Sequence, residues 1–222
     1  MRVFRVAILA AISFAALTSG CSRSPDFVAT EEPWRADEER ACLASGVVRE
    51  TPYLQSRAAL GGPSLCGALS PFQMAAASQG RVLMRPPAML RCPMIPQVDR
   101  WVQDIVEPAA HRHLRANLVE ITVAASYSCR ARNHVFGAKL SEHGYANALD
   151  VSAFSLDDGR KVHVKSGWHG DDAERAFLKA IHAGACRSFT TVLGPDADAN
   201  HHDHFHLDMA RHNKNNSFKV CK

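Results

Sequence analysis

In the segment Asn200-His201-His202-Asp203-His204-Phe205-His206-Leu207-Asp208, two imidazoles alternate with two large apolar side chains. On an extended chain, residues two apart share a face and neighbours point oppositely. The stretch therefore reads as a strand whose Phe205 and Leu207 enter a core while His204 and His206 line the opposite face. Any fold that accepts it must contain a sheet with one face given over to polar chemistry. Four histidines stand within the six residues 201–206, a density that neither core nor surface composition explains. The tract is interrupted by Asp203 and Phe205 and is followed by Cys221, so it fits neither an expression tag nor a loose metal-binding tail.

A second segment complements it. In Ser141-Glu142-His143-Gly144-Tyr145-Ala146-Asn147-Ala148-Leu149-Asp150 a histidine precedes an aspartate by seven positions, and Asp150 opens the apolar run Val151-Ser152-Ala153-Phe154. That run reads as a strand, and the residues around Gly144 and Asn147 as a loop that folds His143 back beside Asp150. One carboxylate and two imidazoles then converge. Such a set leaves zinc with a net positive charge and, without a fourth protein ligand, one position for water, as in a catalytic rather than a structural site.

The amino terminus and the cysteines give the compartment. Arg2 and Arg5 precede an uncharged stretch from Val6 to Leu17, and Thr18-Ser19-Gly20 precede Cys21. Residues 1–20 therefore read as an export signal, too short for a bilayer-spanning anchor. Small residues before a cysteine resemble a bacterial lipobox, although Thr18 stands where leucine is usual. This predicts a lipidated Cys21, the protein's only membrane attachment, and a periplasmic lipoprotein held at the outer membrane. The competing reading is an ordinary cleaved signal with Cys21 in a disulfide. Of seven cysteines, removal of Cys21 leaves Cys42, Cys66, Cys92, Cys129, Cys186 and Cys221, an even set suited to three bridges in an oxidising compartment. Sequence allows about fifteen pairings of them. The net charge is +4 and no Lys/Arg block alternates with aromatics, so nothing points to nucleic acid. Oligomeric state is left open.

Along the chain, residues 21–40 are charged and poor in large apolar side chains, which predicts a flexible tether after the lipidated cysteine. Residues 41–95 are rich in Gly, Pro and Cys and read as an extension ordered more by disulfides than by a core, with short extended pieces at Gly46–Val48 and Arg81–Met84. Residues 96–222 read as the catalytic domain. Ile95, Val98, Trp101, Val102, Ile105 and Ala109 recur at helical spacing, predicting a helix from Pro96 to His113 bent at Pro108. Strands are expected over Asn117–Tyr127, Lys161–Val164 and Phe189–Leu193, and a helix over Asp171–Ala185. The order predicts an α+β fold, a mainly antiparallel sheet with helices on one face, stabilised by disulfides.

These residues resemble known families. Ser141-x-His143, Ala148-x-Asp150 and His204-x-His206 resemble the zinc-binding pattern of the D-alanyl-D-alanine carboxypeptidase and murein endopeptidase superfamily, whose fold the hedgehog signalling domain shares. The stretch from about Cys42 to Cys221, with Ser126-Tyr127-Ser128-Cys129-Arg130 and Thr191-Val192-Leu193-Gly194-Pro195, resembles the bacterial extensin-like C-terminal family. The resemblance implies His143, Asp150 and His206 as zinc ligands. It implies Asp203, three residues before the last ligand, as the group acting on the attacking water, with His204 in that role if the carboxylate is turned away, and His201 as an assisting imidazole. Arg130 resembles the arginine that faces the scissile carbonyl or neighbouring substrate charge. The competing roles are a structural ion pair for Arg130 and, for Asp203, the orientation of an imidazole. Ala146 departs from the pattern, standing where the carboxypeptidases usually have glycine. Glu142 ranks below Asp203 as a carboxylate, His202 and Asp208 are accessory, and His111, His113, His134, His163, His169, His182 and His212 lack convergent spacing and read as surface histidines.

The reading that follows is an exported zinc peptidase acting on peptidoglycan crosslinks or stem peptides, as an endopeptidase before a carboxypeptidase. The alternatives are a zinc-stabilised wall-binding protein without turnover and, more weakly, a metal carrier using the histidine tract.

Overall fold

Side chains alternate between an apolar core face and a polar face along the strand that the sequence marks most strongly, and both faces are buried. In the computed structural model, which describes residues 25–222, Phe205 and Leu207 are fully buried in the core while His206 points the other way. The expected signal peptide over 1–20 and the expected lipid anchor at Cys21 lie outside the described residues.

The elements in chain order are α1 (Pro33–Ser45), β1 (Leu54–Ser56), β2 (Leu60–Gly61), β3 (Gly67–Ala68), β4 (Phe72–Ala77), β5 (Val82–Leu90), α2 (Met94–Trp101), α3 (Glu107–Ala109), β6 (Leu118–Ala125), β7 (Ala148–Leu156), β8 (Lys161–His163), α4 (Val164–Gly167), α5 (Asp172–Ser188), β9 (Thr191–Leu193), β10 (Phe205–Asp208) and β11 (Val220–Cys221). One sheet runs β1-β4-β5-β6-β7-β10-β9-β11, with β8 on the far half of β7, and β2 and β3 form a separate hairpin. Its pairs are antiparallel except β5 with β6 and β9 with β11. The fold is mixed α and β with a mostly antiparallel sheet, as expected.

The helical stripe predicted from Pro96 to His113 is a rod from Met94 to Leu114 in which α2 and α3 alternate with π turns at Val102–Val106 and Ala110–Leu114. Pro108 follows the first π turn. Its missing N–H and bulky ring oppose a regular α ladder, and a widened turn accommodates both. The rod packs on α5 and on the sheet: Trp101 Nε1 donates to the Ile181 carbonyl at 3.0 Å, and the indole meets Phe154 and Phe189 edge-on at 6.3 Å. Asp171 caps α5, accepting from the Ala173 and Glu174 amides at 2.9 Å, a contact that contributes about 1 kcal/mol.

Two expectations for the amino-terminal half need correction. Where a tether was expected over 21–40, Phe27 is buried, Val28 bridges Lys139, and α1 begins at Pro33. α1 buries none of its residues, so its sequence reads as solvated. What fixes it is long-range: Arg35 on Glu142, Arg91 on Glu39, Arg211 on Glu38, and the Cys42–Cys92 disulfide. Nor do residues 41–95 stand apart from 96–222. β5 pairs in parallel with β6, Met84 opposite Ile121, and the main core extends continuously from Leu54 to Leu207. β4 escaped the sequence reading because Phe-Gln-Met-Ala-Ala-Ala lacks β-branched residues and its partner β5 contains Pro86 and Pro87. Gly46–Val48 is no strand; Gly46, at φ 65°, ends α1 in a left-handed turn.

Of the open pairings, the structure selects Cys42–Cys92, Cys66–Cys129 and Cys186–Cys221. Among the described residues, no helix is long and apolar enough to cross a membrane.

Candidate metal centre

Strand register creates the site. β10 runs antiparallel to β7 with His206 directly opposite Asp150. A slip of one residue would drive Phe205 and Leu207 out of the core, so apolar burial locks the two polar side chains together. His206 Nδ1 lies 2.8 Å from Asp150 Oδ1.

His143 arrives on a single 3₁₀ turn, Glu142–Tyr145. Ser141 caps the turn by accepting from the His143 amide at 3.4 Å. Ala146 ends it in the left-handed region at φ 52°, a conformation that costs an alanine about 1 kcal/mol. The backbone therefore takes the shape that glycine would favour, and the ligand loop keeps it despite the methyl group. His143 Nε2 comes within 3.1 Å of Asp150 Oδ2 and 3.2 Å of His206 Nδ1. All three residues are buried.

The other nitrogen of each ring is held from behind. His143 Nδ1 donates to the Ser126 carbonyl at 2.5 Å, and His206 Nε2 donates to Asp208 Oδ2 at 2.9 Å. Both rings thus turn their remaining nitrogen toward Asp150. Burial would raise the Asp150 carboxyl, but hydrogen bonds from His143 and His206 hold it far below the usual carboxylate range. Burial would lower His206, but Asp150 and Asp208 on either side push it up to about 10. The site is an electrostatic well for positive charge.

Its geometry also fits a cation. Tetrahedral zinc with bonds of about 2.0–2.1 Å separates its ligand atoms by roughly 3.3 Å, and the separations here are 2.8, 3.1 and 3.2 Å. Small outward shifts would open the space. A second group, His182, Cys186 and Cys221, also comes close together, but both its sulfurs are consumed in a disulfide.

The three residues form the floor of a cavity of about 690 Å³, which His201, His204, Arg130, Asp208 and His212 also line. His204 Nε2 stands 3.7 Å from Asp150 Oδ2, and its Nδ1 is 2.9 Å from Asp203 Oδ1. His201 Nδ1 is 2.9 Å from Asp198 Oδ1, and its ring centre lies 5.3 Å from that of His204 and 5.7 Å from that of His206. Asp203 itself is half exposed and turned to His204 rather than into the cavity. Arg130 lines the cavity with no carboxylate partner among the described residues; its Nη1 donates to the Ala131 carbonyl at 3.4 Å. Glu142 points away from His143, bound bidentately by Arg35 at 2.7 and 2.6 Å and by Asn147 at 2.6 Å. His202 is exposed on the Ala199 carbonyl.

Sequence reasoning undervalued Asp208 and set aside His212 and His134, which line the cavity. Asp208 was within reach of the period-two rule, since it shares a strand face with His206. His212, placed by its 2.8 Å contact with Thr191 Oγ1, and Asp198 on His201 carry no such local signal.

A family model described as extensin-like protein C-terminus matches residues 40–222. No curated protein and no solved structure matches the chain.

Proposed function

Since this chain belongs to the extensin-like protein C-terminus family, we propose that it is an exported zinc metallopeptidase hydrolysing peptide bonds in peptidoglycan crosslinks or stem peptides, as an endopeptidase rather than a carboxypeptidase. The observation that carries this reading is the convergence of His143, Asp150 and His206 within 4.8 Å at the base of a cavity that also holds two carboxylate-oriented imidazoles and an arginine with no carboxylate partner among the described residues. The resemblance of the same residues to the murein endopeptidase and hedgehog-type pattern supports it, as does the export signal read at residues 1–20. That address and the resemblance of Thr18–Cys21 to a lipobox support a periplasmic protein on an outer-membrane anchor.

His143 Nε2, Asp150 and His206 Nδ1 would hold the zinc. Bound there, it would polarise the scissile carbonyl and acidify the attacking water. His204 takes the proton from that water, because its Nε2 faces the floor of the site while Asp203 fixes its tautomer through Nδ1. The water oxygen bonds to the carbonyl carbon, the C–N bond breaks, and the same imidazole returns a proton to the leaving amine. Arg130 stabilises the oxyanion, and His201, whose Nδ1 donates to Asp198, assists as a second proton-accepting imidazole beside His204. Asp203 becomes a positioning residue, the second of the two roles its sequence position allowed.

The test is incubation of zinc-loaded residues 22–222 with isolated sacculi and purified crosslinked muropeptides, beside a His206→Ala control, with products read by mass spectrometry. Loss of crosslinked dimers with gain of one water, absent in the control, supports the proposal and identifies the bond. A folded, zinc-bound protein that makes no product overturns it in favour of a zinc-stabilised wall-binding protein.

A further inference from the structure

Residues 130–132 and 139–141 form the stem of a hairpin beside the metal centre. Ala131 bridges Leu140, the Arg132 amide donates to the Lys139 carbonyl at 2.9 Å, and the Ser141 amide donates to the Arg130 carbonyl at 3.0 Å. Ala131 and Leu140 face inward, buried with Phe27 and Cys66 in a small second core. By the two-residue period of paired strands, Arg130 and Arg132 then share the outward face with Lys139 and Ser141 across from them.

That face borders two connected spaces. Arg130, Arg132 and Ser141 line the cavity of the metal centre. Arg132 and Lys139 line a side cleft of about 220 Å³ that shares Arg132, Glu142 and His212 with that cavity. Charges within the cleft are unevenly satisfied. Glu32 and Glu142 are both engaged by Arg35, and Arg211 is engaged by Glu38. Arg130, Arg132 and Lys139 have no carboxylate partner among the described residues. Like charges directly opposite on paired strands repel, so the exposed Arg132/Lys139 pair offers an anion a favourable position.

We propose that Arg132 and Lys139, with Arg130 on the side of the metal centre, form a subsite for a free carboxylate of the peptide substrate. The assignment rests on the peptidase reading, and it adds a substrate class: peptides carrying an unamidated carboxylate near the scissile bond. Stem peptides with free side-chain or terminal carboxylates have that chemistry.

The test compares crosslinked muropeptides bearing free carboxylates with the same molecules after amidation of those carboxylates. Binding to the zinc-loaded protein is measured by competition, and turnover is read by mass spectrometry in the same samples. The expected result is at least about fivefold tighter binding of the free carboxylates, shrinking as salt is raised. Arg132→Gln/Lys139→Gln loses that preference while keeping its melting temperature and zinc content. The single variants Arg132→Gln and Lys139→Gln, each with a reduced preference, carry the test if the double variant does not fold. Equal binding of both sets by the wild type, or a preference surviving in the variants, overturns the subsite. Absence of products from both sets overturns the peptidase reading alone, because the binding preference is still read.

Discussion

Asp208 Oδ2 lies 2.9 Å from His206 Nε2, which leaves Nδ1 as the nitrogen of that ring facing Asp150 and His143. A carboxylate behind a ligand imidazole fixes its tautomer and increases its basicity. Asp208→Asn should therefore weaken zinc binding by about 10–100-fold while the protein stays folded. Competition against a chromophoric chelator measures this, and unchanged affinity would remove Asp208 from the site's machinery.

Removal of a ligand should act more drastically. His206→Ala and His143→Ala should each lose stoichiometric zinc and all hydrolysis, as read by metal analysis of the purified protein and by muropeptide digestion. A variant of either that retains one tightly held zinc would mean that the ligand set is wrong.

The two candidates for proton transfer separate by the same pair of measurements. His204→Ala should keep zinc and lose about 10²–10⁴-fold in turnover. Asp203→Ala should also keep zinc, with a smaller loss, because it removes the orientation of His204 and not the base itself. A larger loss for Asp203 than for His204 would return the base to the carboxylate.

The metal-free protein should show a distinctive pH dependence. His206, raised to about 10 between Asp150 and Asp208, binds its proton more tightly folded than unfolded, where the value is about 6.5. Its stabilisation is complete below the unfolded value and is lost as pH rises through about 10. Thermal melts of the metal-free wild type should therefore fall between about pH 6.5 and 10 more steeply than those of His206→Gln. Parallel curves would remove the imidazolium from the site.

α1 should matter to the site although it lies outside the cavity floor. Arg35, stacked 4.0 Å from the Tyr145 ring centre, clamps Glu142, the residue before His143. Breaking a fully buried pair costs about 3–5 kcal/mol, an upper bound for this part-buried one. Arg35→Ala should lower stability by up to that amount in urea titrations and weaken zinc binding through the loosened turn. A variant with wild-type zinc affinity would separate α1 from the metal centre.

The convergence of His143, Asp150 and His206 was legible in the sequence because its information is local. Alternation in His204-Phe205-His206-Leu207 specifies which side chains face the core, and hydrophobic burial enforces that choice wherever the strand pairs. The spacing of His143 and Asp150 across a turn works likewise, as do the stripe of the long helix and the even set of six cysteines. The remainder depended on partners distant in sequence. Helix α1 has no apolar face to announce it and exists through ion pairs with Glu142, Arg91 and Arg211 and through Cys42–Cys92. Strand β4 and the part of β5 beyond the expected Arg81–Met84 join the sheet because β6 and the core receive them, not because Ala76, Ala77 or Pro86 prefer extended backbone. The orientation of Asp203 likewise came only from three dimensions: the spacing puts a carboxylate three residues before His206, but the packed loop decides whether it faces the cavity or His204. Periodicity and side-chain chemistry are written residue by residue, whereas register, ion pairing and the direction of a polar side chain are set by what the fold brings alongside.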